Sequence, residues 1–149
     1  MPNTKAIGVA FADPEFESVA VTGAVSAASV AATGAVSAAS VAATGKVSGT
    51  QLALNAPVTK TASFSLGATE NFVICNGAGT ITVTFPTASA NAGRVVWIKT
   101  IAAQAVSSAS SNVKPLASGT AGTAILANTA GKYAVLVCDG TDWVIMDAN

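Results

Sequence analysis

Residues 18–50 read SVAVTGAVSAA, SVAATGAVSAA and SVAATGKVSGT, which are three consecutive copies of one eleven-residue repeat. The copies consist almost entirely of Ser, Val, Ala, Thr and Gly, so they carry almost no reactive groups. Val is the largest apolar residue in each copy, and a copy holds only two or three of them. Because one chain cannot close a core with so little apolar volume, the repeats predict a rod or spacer built from several chains.

The spacing of the valines predicts strands rather than a helix. The spacing alternates between six and five residues, and a six-residue step rotates a side chain well away from a helical stripe. Each copy also contains a Thr-Gly pair, and Gly costs about 1 kcal/mol inside a helix. We therefore expect two very short strands per copy, with a corner at the Gly. The expected core residues are Val19, Val25, Val30, Val36, Val41 and Val47.

The short array favours three chains around one axis over a single-chain β-helix. One chain would supply only about one or two coils, fewer than a stable solenoid needs. In a trimer each chain supplies one wall, and closed cyclic symmetry is the common outcome for homo-oligomers. The sequence therefore predicts an intertwined, homotrimeric β-shaft.

The composition also favours association with other protein surfaces. Charged residues make up 9% of the chain and the formal net charge is zero, so copies do not repel one another. The cations form no cluster, which argues against a nucleic-acid partner. No run of about 18 apolar residues predicts a membrane span, and the first residues do not resemble a signal peptide. In a reducing cytosol Cys75 and Cys138 are expected to be two buried apolar residues, with a disulfide as the open alternative.

Residues 1–17 form a leader that differs from the repeats. It contains two aromatic residues and three acidic residues, and these are Phe11, Asp13, Glu15, Phe16 and Glu17. One interpretation is an extended docking arm in which the two Phe side chains are anchors. The other is a terminus that packs against its own repeat region. The sequence alone leaves both open.

Residues 57–149 are expected to form a globular head after the leader (1–17) and the shaft (18–56). Both Trp residues and the only Tyr lie in this segment. Asp139-Gly-Thr-Asp142 is a strong hairpin-turn signal, whereas residues 102–122 are expected to be a long loop, with one weak strand as the open alternative. Short apolar or alternating runs predict strands at 72–75, 80–85, 94–101, 123–127, 132–138 and 143–146. The chain is therefore predicted to be all-β, with a small antiparallel β-sandwich or β-prism as its head.

Little in the sequence suggests catalysis or a cofactor. The chain has no His, which is the commonest general base and metal ligand. Its carboxylates show no spacing typical of a catalytic pair, so we predict that it is not an enzyme. Asp139, Asp142 and Asp147 could hold Ca²⁺, but a hairpin corner is the simpler interpretation. Trp97 and Trp143 could form a carbohydrate platform, but core packing is favoured because each lies in an apolar strand.

Several stretches resemble structural proteins of tailed bacteriophages. The run SVAATGAVSAASVAATGKVSG at 29–49 resembles the low-complexity shafts of trimeric phage fibres and related virion proteins. It is more loosely similar to the head repeats of trimeric autotransporter adhesins, which have a longer period. TITVTFP at 80–86, AGRVVWIK at 92–99 and CDGTDWVI at 138–145 are similar to small β-domains of phage fibres and decoration proteins.

This resemblance implies a non-enzymatic virion protein that is synthesised in the host cytoplasm and is located on the virion surface. It implies a homotrimer with its shaft along the threefold axis. The favoured function is capsid decoration or cementing, as a head fibre whose leader docks on the major capsid protein or another virion protein. One alternative is a tail fibre or receptor-binding tip for host-surface glycans, for which 149 residues is short. Another is a bacterial adhesin or carbohydrate-binding module.

Overall fold

The computed structural model describes residues 22–38, 40–49 and 53–149, and it divides the chain into one unit ending at Val47 and another beginning at Ser48. The described repeats bend at the Thr-Gly pair of each copy, where corners are predicted. Within 22–38 and 40–49 the single chain forms no strand, and every side chain is exposed. Pairing of these segments into short strands with other copies therefore stays a prediction.

The head contains ten short strands and one 3-10 helix at Ala88–Ala90. Residues 53–149 contain no α-helix, which confirms the all-β prediction for the head. The strands are β1 (Val58–Lys60), β2 (Phe64–Ser65), β3 (Phe72–Cys75), β4 (Ile81–Thr84), β5 (Val95–Thr100), β6 (Val106–Ser108), β7 (Val113–Lys114), β8 (Ala124–Leu126), β9 (Tyr133–Cys138) and β10 (Trp143–Ala148). They form a six-stranded sheet in the order β1-β3-β5-β9-β10-β7 and a four-stranded sheet in the order β2-β4-β6-β8.

From β1 to β6 the chain alternates between the two sheets, and each new strand lies parallel to the previous one in its sheet. The chain thus winds as a flattened coil that adds one strand to each sheet per turn. The later pairs are mixed, because β9 is antiparallel to β5 and β10 and β8 is antiparallel to β6, whereas β7 is parallel to β10. The prediction of an antiparallel head is therefore wrong, because both sheets are mixed, although the head does consist of two sheets as a sandwich would. Alternation along a strand shows which face is buried, but it does not determine the direction of the neighbouring strand.

The two sheets enclose one apolar core. Register places Val58, Val73 and Ile98 side by side on the inner face of the six-stranded sheet. Phe85, directly after β4, stacks on Trp143 of β10 with ring centroids 4.6 Å apart, which joins the two sheets. Burial of a large apolar side chain contributes about 1.5–3 kcal/mol. Such inner rows explain why strands of only two to six residues form stable sheets.

The predicted strands of the head are confirmed to within two residues, but four strands were missed. β1 and β2 are too short to show a sequence period, and the segment 102–122, for which at most one weak strand was expected, contains both β6 and β7. Position 77, in the turn after β3, requires Gly because a side chain would not fit there, and not because of its φ angle. A Cβ atom at Gly77 would lie 2.7 Å from the carbonyl oxygen of Thr61.

Candidate functional site

The repeats leave a regular row of valines exposed in the single chain. Val19 lies outside the described residues, and the other five members of the predicted trimer core are described. Between 70% and 80% of the surface of each is exposed: Val25, Val30, Val36, Val41 and Val47. Scattered exposed apolar residues are normal on protein surfaces. These five recur at alternating steps of five and six residues in a segment without a core, so the single chain buries none of them.

A second apolar surface lies on the outer face of the six-stranded sheet, which is the side away from the core. Strand alternation places side chains there between the buried ones. One row consists of Val95, Val137 and Val144, and the next consists of Phe72, Trp97 and Val135. These six residues form the apolar part of this side of the sheet, and they are meant wherever the outer face is named below.

The two Trp residues have opposite environments. Trp143 is fully buried, which confirms its predicted place in the core. Trp97 is 47% exposed at the centre of the outer face, so the core prediction for this residue is wrong. The sequence contains a signal for this outcome, because the first four residues of β5, VVWI, are apolar at inward and outward positions alike.

A groove of about 390 Å³ runs along this face near β1. Its walls include Pro57, Phe72, Trp97, Lys99 and Tyr133, and they are mainly apolar. The rings of Phe72 and Trp97 lie 6.3 Å apart, centroid to centroid. This groove fits apolar side chains better than a highly polar ligand.

Two opposite charges flank the outer face. Lys99 lies on β5 beside Tyr133, and Asp147 lies on β10 beside Val135. The Tyr133 hydroxyl donates a hydrogen bond to Asp147 Oδ2 over 3.2 Å, and the negative charge of Asp147 raises the pKa of Tyr133. Within the described part of the chain, neither Lys99 nor Asp147 forms an ion pair.

The Asp139–Asp142 segment is a hairpin corner, as predicted. Asp139 Oδ1 accepts hydrogen bonds from the backbone N–H groups of Thr141 (2.8 Å) and Asp142 (2.6 Å). Lys114 Nζ lies 2.9 Å from Asp139 Oδ2 and 3.0 Å from Asp142 Oδ2. The backbone N–H of Asp142 and the ammonium of Lys114 together hold the pKa of Asp139 far below its usual range. Among the residues described, no three His, Cys, Asp or Glu side chains cluster as metal ligands.

Acid should destabilise the head through two carboxylates. The hydrogen bond from Lys60 and the backbone N–H of Gly67 lower the pKa of Glu70, and that of Asp139 is lowered as described above. A carboxylate with a lowered pKa stabilises the folded state above its ordinary pKa of about 4. That contribution is lost as the pH falls toward the folded pKa. We expect the urea midpoint of the head to decrease steadily from pH 4 to pH 2.

The matched variant for this prediction is Glu70→Gln combined with Asp139→Asn. It should be less stable than the wild type at pH 7, and its urea midpoint should change much less between pH 4 and pH 2. If the urea midpoint of the double variant fell as steeply between pH 4 and pH 2 as that of the wild type, other groups would be responsible for the acid sensitivity.

The two cysteines are free and buried, as predicted. Burial raises the pKa of Cys75 to about 11, so its thiol is protonated and unreactive at neutral pH. Cys75 lies beside Thr100 at one end of β5, whereas the backbone N–H of Cys138 donates a hydrogen bond to the Arg94 carbonyl just before the other end. The positions of the two cysteines along β5 thus differ by six residues, which corresponds to roughly 20 Å of extended strand. A disulfide needs Cα atoms within about 7 Å, so these thiols cannot pair in this fold.

The predicted docking residues of the leader, Phe11, Asp13, Glu15, Phe16 and Glu17, lie outside the described residues. No helix in the described ranges is long and apolar enough to cross a membrane. No protein-family model matches the chain, and neither curated proteins nor solved structures show significant similarity to it.

Proposed function

We propose that this chain is a non-enzymatic structural protein that assembles into a homotrimer through its repeats. The observation that carries the proposal is the row of repeat valines, which are 70–80% exposed in the single chain. Three copies around one axis would bury this row and give each short segment strand partners. A net charge of zero leaves no electrostatic barrier to that contact.

We further propose that the trimer is a capsid decoration protein, or head fibre, on a tailed bacteriophage. Support comes from the resemblance of the repeats to phage shafts and of three head segments to small virion β-domains. The leader supplies the docking element: Phe11 and Phe16 enter apolar pockets, and the acidic residues Asp13, Glu15 and Glu17 meet cations of the capsid protein. The trimer stabilises the capsid by bridging neighbouring subunits.

The test is to locate the chain on purified particles of the phage that encodes it, with gold-labelled antibodies against the head. Label on the capsid is the expected result. Particles lacking the chain should bind added full-length trimer. They should not bind a variant without residues 1–17, although native mass measurement should still show that this variant is a trimer. Binding by the shortened trimer would contradict the docking role of the leader.

A tail fibre or receptor-binding tip is the second candidate, and one observation favours it. Trp97 and Phe72 expose aromatic surface beside a groove, as sugar-stacking sites do. Gold label at the tail tip, together with binding of the isolated protein to host-surface glycans, would establish this function instead of capsid decoration.

A further inference from the structure

We infer that the outer face is a contact surface between the heads of neighbouring copies of this chain. The inference rests on the proposed self-assembly, but it assigns a second interface that is separate from the repeats. Trp97 is the central residue of this interface, and the row of Val95, Val137 and Val144 flanks it.

The strands of this sheet have the composition of strands covered on both faces. β3 reads FVIC, β5 begins VVWI and β9 reads YAVLVC, so apolar residues occupy outward as well as inward positions. Sheets with one face in water typically alternate apolar and polar residues, whereas parallel sheets are covered on both sides. The first three strands at this end, β1, β3 and β5, are parallel to one another. The outer face therefore has the character of an interface.

The dimensions of the face are consistent with protein–protein contact. Four strands spaced by about 4.8 Å and five residues rising about 3.3 Å each cover roughly 300 Å² in flat projection. Apolar patches of about this size on a monomer are often functional. A standard interface buries about 800 Å² per partner, so the outer face and the repeat valines each supply part of the area that a stable homo-oligomer requires.

Charge complementarity identifies the occupant as another copy. The face has Lys99 on one side and Asp147 on the other, and neither has an ion-pair partner within the described residues. A neighbouring copy brings both the anion and the cation that these positions lack, together with a matching apolar sheet face. Two sheets can pack face to face about 10 Å apart.

A sugar ligand is less well matched to the same surface. Sugar recognition requires several polar groups that point at the ligand. Lys99 and Tyr133 are the groove residues with polar side chains, and the Tyr133 hydroxyl is already bonded to Asp147. The remaining walls can hold apolar side chains of a protein partner.

The test compares the full chain with Trp97→Glu by sedimentation over a concentration series. The matched control is Thr84→Glu, which places the same charge at an exposed position on β4 of the other sheet. Truncation of a central Trp in an interface typically weakens binding by about 30-fold or more. We expect at least that increase in the dissociation constant for Trp97→Glu, and a change of less than about threefold for the control.

A second measurement needs no variant. Trp143 is buried in every state, so acrylamide quenching of tryptophan fluorescence reports mainly on Trp97. Quenching of the wild type should increase when dilution dissociates the assembly. Circular dichroism checks that the Trp97→Glu head is folded, and Trp97→Ser replaces that variant if the charge prevents folding.

The outcomes separate this inference from the proposed function. A wild-type chain that is monomeric at all concentrations contradicts the proposed self-assembly itself. A stable wild-type trimer that Trp97→Glu leaves unchanged, with Trp97 equally quenched at all dilutions, overturns the inference and leaves the repeats as the interface. Glycan binding that Trp97→Glu abolishes without changing assembly also overturns it, in favour of a sugar site.

Discussion

Replacing Val30 and Val41 together by Asp is expected to convert the proposed homotrimer into a monomer whose head is still folded. In the single chain these side chains are 80% and 79% exposed, so the substitutions remove no contact that one chain makes for itself. In the trimeric shaft the same positions would face the common axis. Each substitution would then bring three carboxylates together in an apolar core, where unpaired charge is very unfavourable.

The expected loss of association free energy is large because each substitution occurs three times in a symmetric trimer. Burial of one Val contributes about 1.5–3 kcal/mol, so two positions in three chains contribute about 9–18 kcal/mol per trimer. Native mass spectrometry should therefore show only monomer at micromolar concentration. The urea midpoint of the head should equal that of dissociated wild-type chain.

Ser29→Asp with Ser40→Asp is the matched control for the valine variant. Each Ser directly precedes one of the two Val residues, and successive side chains of a strand point to opposite faces. This control should remain a trimer. Dissociation of both variants would show that the array tolerates no charge at either position. A trimer with Asp at 30 and 41 would show that the valines do not form its core.

Trp143→Ala is expected to lower the free energy of unfolding of the head by about 3–5 kcal/mol. The indole is fully buried and stacks on Phe85, so its removal leaves a cavity between the two sheets. In a domain of this size, such a loss lowers the melting temperature by more than about 12 °C. Thermal unfolding followed by circular dichroism at fixed protein concentration measures it.

Two further variants test whether the stacked ring carries this effect. The Trp143 indole N–H has no acceptor among the described residues, so Trp143→Phe keeps an aromatic ring and removes an unpaired donor. We expect it to cost less than about 1.5 kcal/mol. Met146→Ala, three residues along β10 and 61% exposed, should cost less than about 0.5 kcal/mol. Equal losses for Trp143→Phe and Trp143→Ala would contradict the cavity explanation.

The sequence predicts strands well where a run is long enough to show which side chains are buried. Ile81, Val83 and Phe85 alternate with polar residues, and all three are buried as expected. Asp139-Gly-Thr-Asp142 predicts its hairpin because the Asp139 side chain bonds backbone N–H groups within the turn. These features depend on local chemistry, which the sequence contains directly.

Strand partners could not be predicted in the same way. β1 lies parallel to β3, and β2 lies parallel to β4, but strands of two or three residues have no measurable period. Whether two strands pair in parallel depends on the connection between them, which sets the direction in which the chain re-enters the sheet. No single segment of sequence determines that direction. The outer face was missed for a related reason. An apolar Trp97 fits a core and an interface equally well until the sheet shows which side it occupies.

The order of strands in the six-stranded sheet also affects synthesis. β1, β3 and β5 come early in the chain, whereas β9 and β10, which complete the middle of the sheet, come last. During translation, β5 therefore has an unpaired edge until β9 leaves the ribosome. An open strand edge is a template for pairing with another chain. The time between the synthesis of these two strands is therefore the period in which the unfinished head is most prone to aggregate.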